Sequence, residues 1–308
     1  MSNNDTTSIL PKEPLLANKK TFVQLIFLLL FVIGGMLVFS ALGFLCATLI
    51  WGADITSNPT AAYYRLIQVF SAVGTFLVPA LLFSFSSTRG WFRYLAADKV
   101  PTNGRLFLYV ILLAVFLIPL VGYVAYLNEQ LHLPEALASI EEWMQAQEEA
   151  NNHVLETILG ASDIPTFLLN LLICAAVPAI CEEFLFRGTL QTLFHKWTGR
   201  PHVAIWLSGF IFSAIHLQFS GFFARWLLGA YLGYLFCWSG SIWLPVVAHF
   251  LHNALSVTAQ LLVVRGVIAD EQSVTFAEQI PAVVASAILA GAFIALVRYD
   301  TKGTGNRF

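Results

Sequence analysis

Three places in the second half of this 308-residue chain break an apolar pattern with side chains able to do chemistry. In Cys181-Glu182-Glu183-Phe184-Leu185-Phe186-Arg187-Gly188, two adjacent carboxylates sit in a helix-forming stretch. Neighbouring helical residues point in different directions, so the two Glu cannot do the same job. Glu183 and Arg187 are one turn apart and can pair. Glu182 is then left to face another partner, as a general base would. The same residues also suit a buried ion pair that fixes helix orientation, and this motif alone does not separate the two readings. In Phe212-Ser213-Ala214-Ile215-His216, a single imidazole lies in an apolar helix. A lone His is more often a packed core residue than a base, but in lipid either role requires a polar partner. In His249-Phe250-Leu251-His252-Asn253, His249 and Asn253 are four apart and share a face. They could donate hydrogen bonds to a developing oxyanion, or join two helices. His252 is read as packing.

Together these motifs supply a carboxylate, two imidazoles and a carboxamide from three helices. Such a set can activate a water and stabilise a tetrahedral intermediate, the requirements of amide hydrolysis. The chain has no H-E-x-x-H zinc motif and no G-x-S-x-G elbow, so serine chemistry is not supported.

The elements that must carry these residues are transmembrane helices. The chain is 58% hydrophobic and 11% charged, against about 25% charged for soluble domains. Its mean hydropathy is +0.74. Apolar stretches reach the length of about 20 residues needed to cross a hydrocarbon layer of roughly 30 Å. They lack the period-two alternation of a barrel, so the expected fold is an all-α, polytopic transmembrane helix bundle. Eight spans are expected: Thr21–Trp51, Tyr63–Ser86, Leu106–Leu127, Leu168–Phe194, Val203–Phe219, Phe222–Trp238, Ile242–Val264 and Pro281–Val297. Of the 16 Lys and Arg, only Arg65, Arg225 and Arg265 fall on one side of that layout. The positive-inside rule then places both termini in the cytoplasm. The loop from Asn128 to Pro165 has no Lys or Arg but carries acids from Glu129 to Asp163, and reads as an acidic amphipathic helix on the extracytoplasmic surface. No basic cluster suggests nucleic acid. Cys46, Cys174, Cys181 and Cys237 read as small apolar packing residues. Gly229 and Gly233 form a small-x-x-x-small face for close helix approach. The layout divides into a disordered cytoplasmic tail (1–20), N-terminal transmembrane helices with the acidic loop (21–163), a catalytic helix core (164–264), and a last transmembrane helix with a C-terminal tail (265–308).

Glu182-Glu183-x-x-x-Arg187, Phe212-x-x-x-His216 and His249-x-x-x-Asn253, in this order on successive helices, resemble the CPBP superfamily. This superfamily contains the type II CAAX prenyl endopeptidases and the bacteriocin-processing or bacteriocin-immunity (Abi) membrane proteins. Leu228-Gly229-Ala230-Tyr231-Leu232-Gly233, followed by Ser239-Gly240-Ser241-Ile242-Trp243-Leu244-Pro245, is similar to the superfamily's approach to the third motif. The resemblance runs from about Ile164 to Ala259.

It implies that Glu182 activates water, that Glu183 and Arg187 support the site, and that His216 shares in water activation. It also implies that His249 and Asn253 polarise the scissile carbonyl. Members are labelled metalloproteases, and a metal-free glutamate mechanism has also been argued for them. If a metal is used, Glu182, His216 and His249 would hold one divalent ion such as Zn²⁺ with an open position for water. The expected activity is therefore endopeptidase cleavage of a membrane-associated or leader-type peptide or protein. The expected partners are that substrate and the lipid bilayer, and the expected location is a bacterial cytoplasmic membrane. The alternative is an immunity or regulatory scaffold that binds a peptide without cutting it. A proton or ion transporter ranks last, because the first half has no buried ionisable pair.

Overall fold

The computed structural model describes residues 13–268 and 280–302. Among the described residues it is all helix, with no strand. The principal helices are α1 (Thr21–Trp51), α2 (Ala61–Ser87), α3 (Gly104–Phe116), α4 (Ile118–Glu129) and α5 (Ala138–Leu159). They continue with α6 (Ile164–Thr198), α7 (Pro201–Ala214), α8 (Phe222–Ser239), α9 (Trp243–Val264) and α10 (Ile280–Asp300).

All eight apolar segments expected from sequence form helices, but the count of eight membrane spans is not reached. Among the described residues, five helices (α1, α2, α6, α9 and α10) are long and apolar enough to cross. The number is six if α3 and α4, bent 44° apart, form one broken span. The fifth expected span stops at Ala214 as α7, 14 residues long. At 1.5 Å per residue that is about 21 Å, short of a hydrocarbon layer of roughly 30 Å. The sixth, α8, is 18 residues long, and Arg225, Trp226, Tyr231, Tyr234 and Trp238 dilute its apolar character. Large apolar side chains such as Leu29, Leu37, Val38 and Leu49 on α1 face outward. In water such a surface would be an aggregation liability; in lipid it faces its natural solvent.

Proline and polar side chains shape the long helices. Pro178 lies inside α6 and has no N–H, and its ring would collide with the carbonyl four residues back. The turn just before it, Leu171–Ala176, widens to π geometry and absorbs the clash. The same device precedes Pro79 in α2, at Val73–Leu77. The break between α3 and α4 falls beside Pro119. Ser286 of α10 closes it, donating to the Phe116 carbonyl (2.5 Å) and accepting from the Leu120 amide (3.3 Å). Asp163 caps α6 by accepting from the Thr166 amide at 2.9 Å. The Thr166 hydrogen bonds hold its carboxyl below the usual carboxylate range.

The tail was expected to be disordered over residues 1–20; residues 1–12 lie outside the described residues. Within residues 13–20, Leu16 packs into the bundle while most of its neighbours stay exposed. Leu16 is fully buried, and its amide donates to the Ser86 carbonyl at 2.7 Å. Gln24 donates to the Leu16 carbonyl (2.6 Å) and accepts from Lys196 (3.0 Å). The three Arg set apart by the sidedness argument all meet the connection around α5. Arg65 donates to the Ile158 carbonyl, Arg265 to the Ser162 carbonyl, and Arg225 interacts electrostatically with Glu148.

Helices α7 and α8 meet through glycine. A Cβ on Gly229 would lie 2.9 Å from Gly209 Cα and 3.3 Å from Phe212 Cδ1. One on Gly233 would lie 2.7 Å from Gln191 Oε1. The small-residue face expected from sequence is thus a packing face. Because the first obstacle to Gly229→Ala is backbone, this substitution is expected to cost about 1–3 kcal/mol as overpacking. Thermal unfolding in detergent measures the loss; an unchanged midpoint would mean the two helices can separate freely.

Candidate active site

The Glu182-Glu183 pair lies near the middle of α6, which runs on to Thr198. A second π segment, Phe184–Gln191, follows immediately. Wide turns leave carbonyls loosely bonded, and here side chains take them up. Thr189 donates to the Phe184 carbonyl (3.1 Å), Thr192 to Arg187 (3.3 Å) and Ser208 of α7 to Phe186 (3.1 Å). Wide turns of this kind gather at functional sites.

Glu183 is fully buried, and its Oε1 accepts two hydrogen bonds. Arg187 Nη1 donates at 2.7 Å and His249 Nδ1 lies at 2.8 Å. Arg187 also donates from Nη2 to the Gly229 carbonyl (3.0 Å) and sits 4.7 Å over the Phe212 ring. The pairing expected from the four-residue spacing is therefore present, and it is also the anchor of His249. An ionised carboxylate only accepts, so His249 must donate from Nδ1 and turn Nε2 toward Glu182. His216 is fixed by the same logic: its Nδ1 lies 2.7 Å from the Phe212 carbonyl, so Nε2 is the free nitrogen.

Both free nitrogens converge on one atom. Glu182 Oε2 lies 3.9 Å from His216 Nε2 and 3.8 Å from His249 Nε2. It is buried and makes no direct hydrogen bond to any of the described residues. Contacts at this distance are too long for a hydrogen bond and suit a group held between them. The Phe212 ring stands edge-on to both imidazoles, with centroids 4.9 Å from His216 and 5.7 Å from His249. Asn253 lies one turn beyond His249 on α9 and is half-buried.

The structure thus brings Glu182, Glu183, Arg187, His216 and His249 into one cluster, with Asn253 on the helix that carries His249. Sequence reasoning did not find the supporting backbone: the Phe212 and Gly229 carbonyls and the Gly209–Gly229 contact behind them. The glycine spacing hinted at the close approach but not at an exposed carbonyl.

Among the described residues, no three His, Cys, Asp or Glu side chains are placed to hold a metal ion. Tetrahedral zinc with bonds near 2.0–2.1 Å brings its donors to about 3.3 Å from one another. Glu182 Oε2 stands farther than that from His216 Nε2 (3.9 Å) and from His249 Nε2 (3.8 Å).

The family model described as Type II CAAX prenyl endopeptidase Rce1-like matches residues 164–255. "Uncharacterized protein YpbD" of Bacillus subtilis (strain 168) is 29% identical over 125 residues, which is 38% of this chain and 57% of that protein. The chain therefore spans just over half the length of this curated relative. No solved structure matches. The matched segment 164–255, which holds the Glu182 cluster and Asn253, is similar to that family.

Proposed function

We propose that this protein is an intramembrane endopeptidase that cuts a peptide bond of a membrane-associated or leader-type substrate. The observation that carries the reading is the convergence of His216 Nε2 and His249 Nε2 on the buried Glu182 Oε2. A water held there gives a proton to Glu182 as its oxygen attacks the scissile carbonyl carbon. His216 accepts the second hydrogen bond of that water and aligns it. The carbonyl oxygen gathers negative charge and takes hydrogen bonds from Asn253 and, where Nε2 carries a proton, from His249. Arg187 pairs with Glu183, and Glu183 holds the His249 ring. When the tetrahedral intermediate collapses, Glu182 passes its proton to the leaving amine. Glu183 and Arg187 form a buried ion pair inside the cluster, as a low-dielectric site requires. No step is routed through a metal. The basic residues bonded near α5 are few, and by the positive-inside rule α5 lies on the extracytoplasmic face with both termini in the cytoplasm.

The test uses the purified full-length protein in detergent with a library of membrane-proximal peptides, with and without a chelator. The parent is expected to cleave, and His216→Ala is expected to lose roughly 10²–10⁴ in rate. Cleavage blocked by the chelator and restored by zinc would replace the metal-free mechanism with a metal-dependent one. Binding of an uncut peptide by parent and variant alike would favour the immunity or scaffold reading and end the protease one.

A further inference from the structure

His216 is the least buried of the clustered groups, and it does not sit within a helix. Helix α7 ends at Ala214, and His216 opens the connection to α8 at Phe222. The chain turns sharply there: Leu217 has φ +52°, a conformation an L side chain rarely adopts. Such a backbone persists only when its surroundings hold it. Part of the hold is local. Ser213 donates to the Phe222 carbonyl at 2.7 Å, and Arg225 donates to the Gln218 carbonyl and side chain at 3.1 and 2.7 Å.

The rest comes from the N-terminal half, outside the Rce1-like segment. Asn128, near the end of α4, brackets the connection by donating to the Phe219 carbonyl and accepting from the Phe223 amide, both at 2.9 Å. Glu148 of α5 accepts from the Ser220 amide at 3.3 Å and from the Ser220 hydroxyl. The ring of Trp143, also on α5, lies 5.7 Å from that of Phe219. Residues 219–223 are thus gripped from two other helices, a few residues from His216.

We propose that Asn128 and Glu148 are positioning residues for His216, so that the acidic helix α5 completes the active site by clamping the loop that carries its imidazole. This rests on the protease reading. Asn128 bonds the backbone of the connection, and Glu148 bonds the Ser220 amide and hydroxyl and faces Arg225, so both act on His216 through this connection. A misplacement of about 1 Å in a catalytic group can cost roughly 10²-fold in rate. Loss of either clamp is expected to lower kcat by roughly 10- to 100-fold with KM nearly unchanged.

The experiment compares the full-length parent with Asn128→Ala, Glu148→Ala, Glu148→Gln and Ser220→Ala in detergent. Each is assayed on a membrane-proximal peptide that the parent cuts, and each is followed by hydrogen exchange of peptides covering 214–224. Asn128→Ala, Glu148→Ala and Ser220→Ala should speed exchange in the loop and lower kcat. Glu148→Gln keeps an acceptor for Ser220 and should restore both, which a charge effect on substrate would not. Faster exchange with unchanged kcat overturns the proposal, as does a rise confined to KM, or Glu148→Gln behaving like Glu148→Ala. If Glu148→Ala fails to fold, Ser220→Ala, which removes the hydroxyl hydrogen bond to Glu148 and keeps the amide one, decides alone. A parent that cuts nothing sinks the protease reading and this one with it. Unchanged loop exchange in an active parent sinks the clamp alone.

Discussion

Glu182→Gln is expected to stop peptide cleavage while leaving the protein folded. The side chain keeps its size, and among the described residues Glu182 Oε2 makes no direct hydrogen bond that the amide would break. What is lost is the acceptor for the proton of the attacking water, and positioned general bases contribute roughly 10²–10⁴-fold. The loss should fall on kcat, with peptide binding retained, because the group acts only as the proton moves. Steady-state kinetics and direct binding of the uncut peptide separate the two. Activity within a few-fold of the parent would remove Glu182 as the base and shift the search to another carboxylate.

The second large effect concerns stability. Arg187→Met should cost about 3–5 kcal/mol, because it leaves the Glu183 carboxylate buried with its counter-charge gone. Glu183 is fully buried and Arg187 is 1% exposed, so water cannot repair the loss. The single variant should give poor yield and a lowered thermal midpoint in detergent. The double variant Glu183→Gln, Arg187→Met should recover much of that stability, because neither charge remains. It should not recover cleavage, because the carboxylate that fixes the His249 ring is gone. A single variant as stable as the double would show that the pair is not a buried charge pair at all.

Much of this was legible in the residues. Apolar length placed the apolar helices, with α3 and α4 as one segment, because in lipid a backbone has no other way to satisfy itself. The four-residue spacing gave the Glu183–Arg187 pair, and adjacency in a helix separated Glu182 from it. Hydropathy misjudged depth and continuity. It carried the fifth span to Phe219, because Leu217 and Phe219 are apolar although the chain has already turned at His216. It could not see the α3–α4 bend, because Ser286, which bonds across the break, is 170 residues from Phe116. It left the tail free, because the grip on Leu16 comes from Ser86 and Gln24. The supporting shell was out of reach for the same reason: backbone carbonyls and partners such as Glu148 carry no periodic signal.

The placement of Arg187 within the same helix as Glu183 also bears on how the chain is made. During synthesis α6 emerges before α9, and His249 lies 66 residues beyond Glu183. A segment bearing two carboxylates would meet the bilayer before the helices that carry its histidine partners are present. Because its cation is only four residues away, α6 brings its own neutralising group and can settle in lipid as a self-contained unit. Glu182 alone waits for the later helices, so the last charge to be accommodated in the nascent bundle is the one on which the chemistry depends.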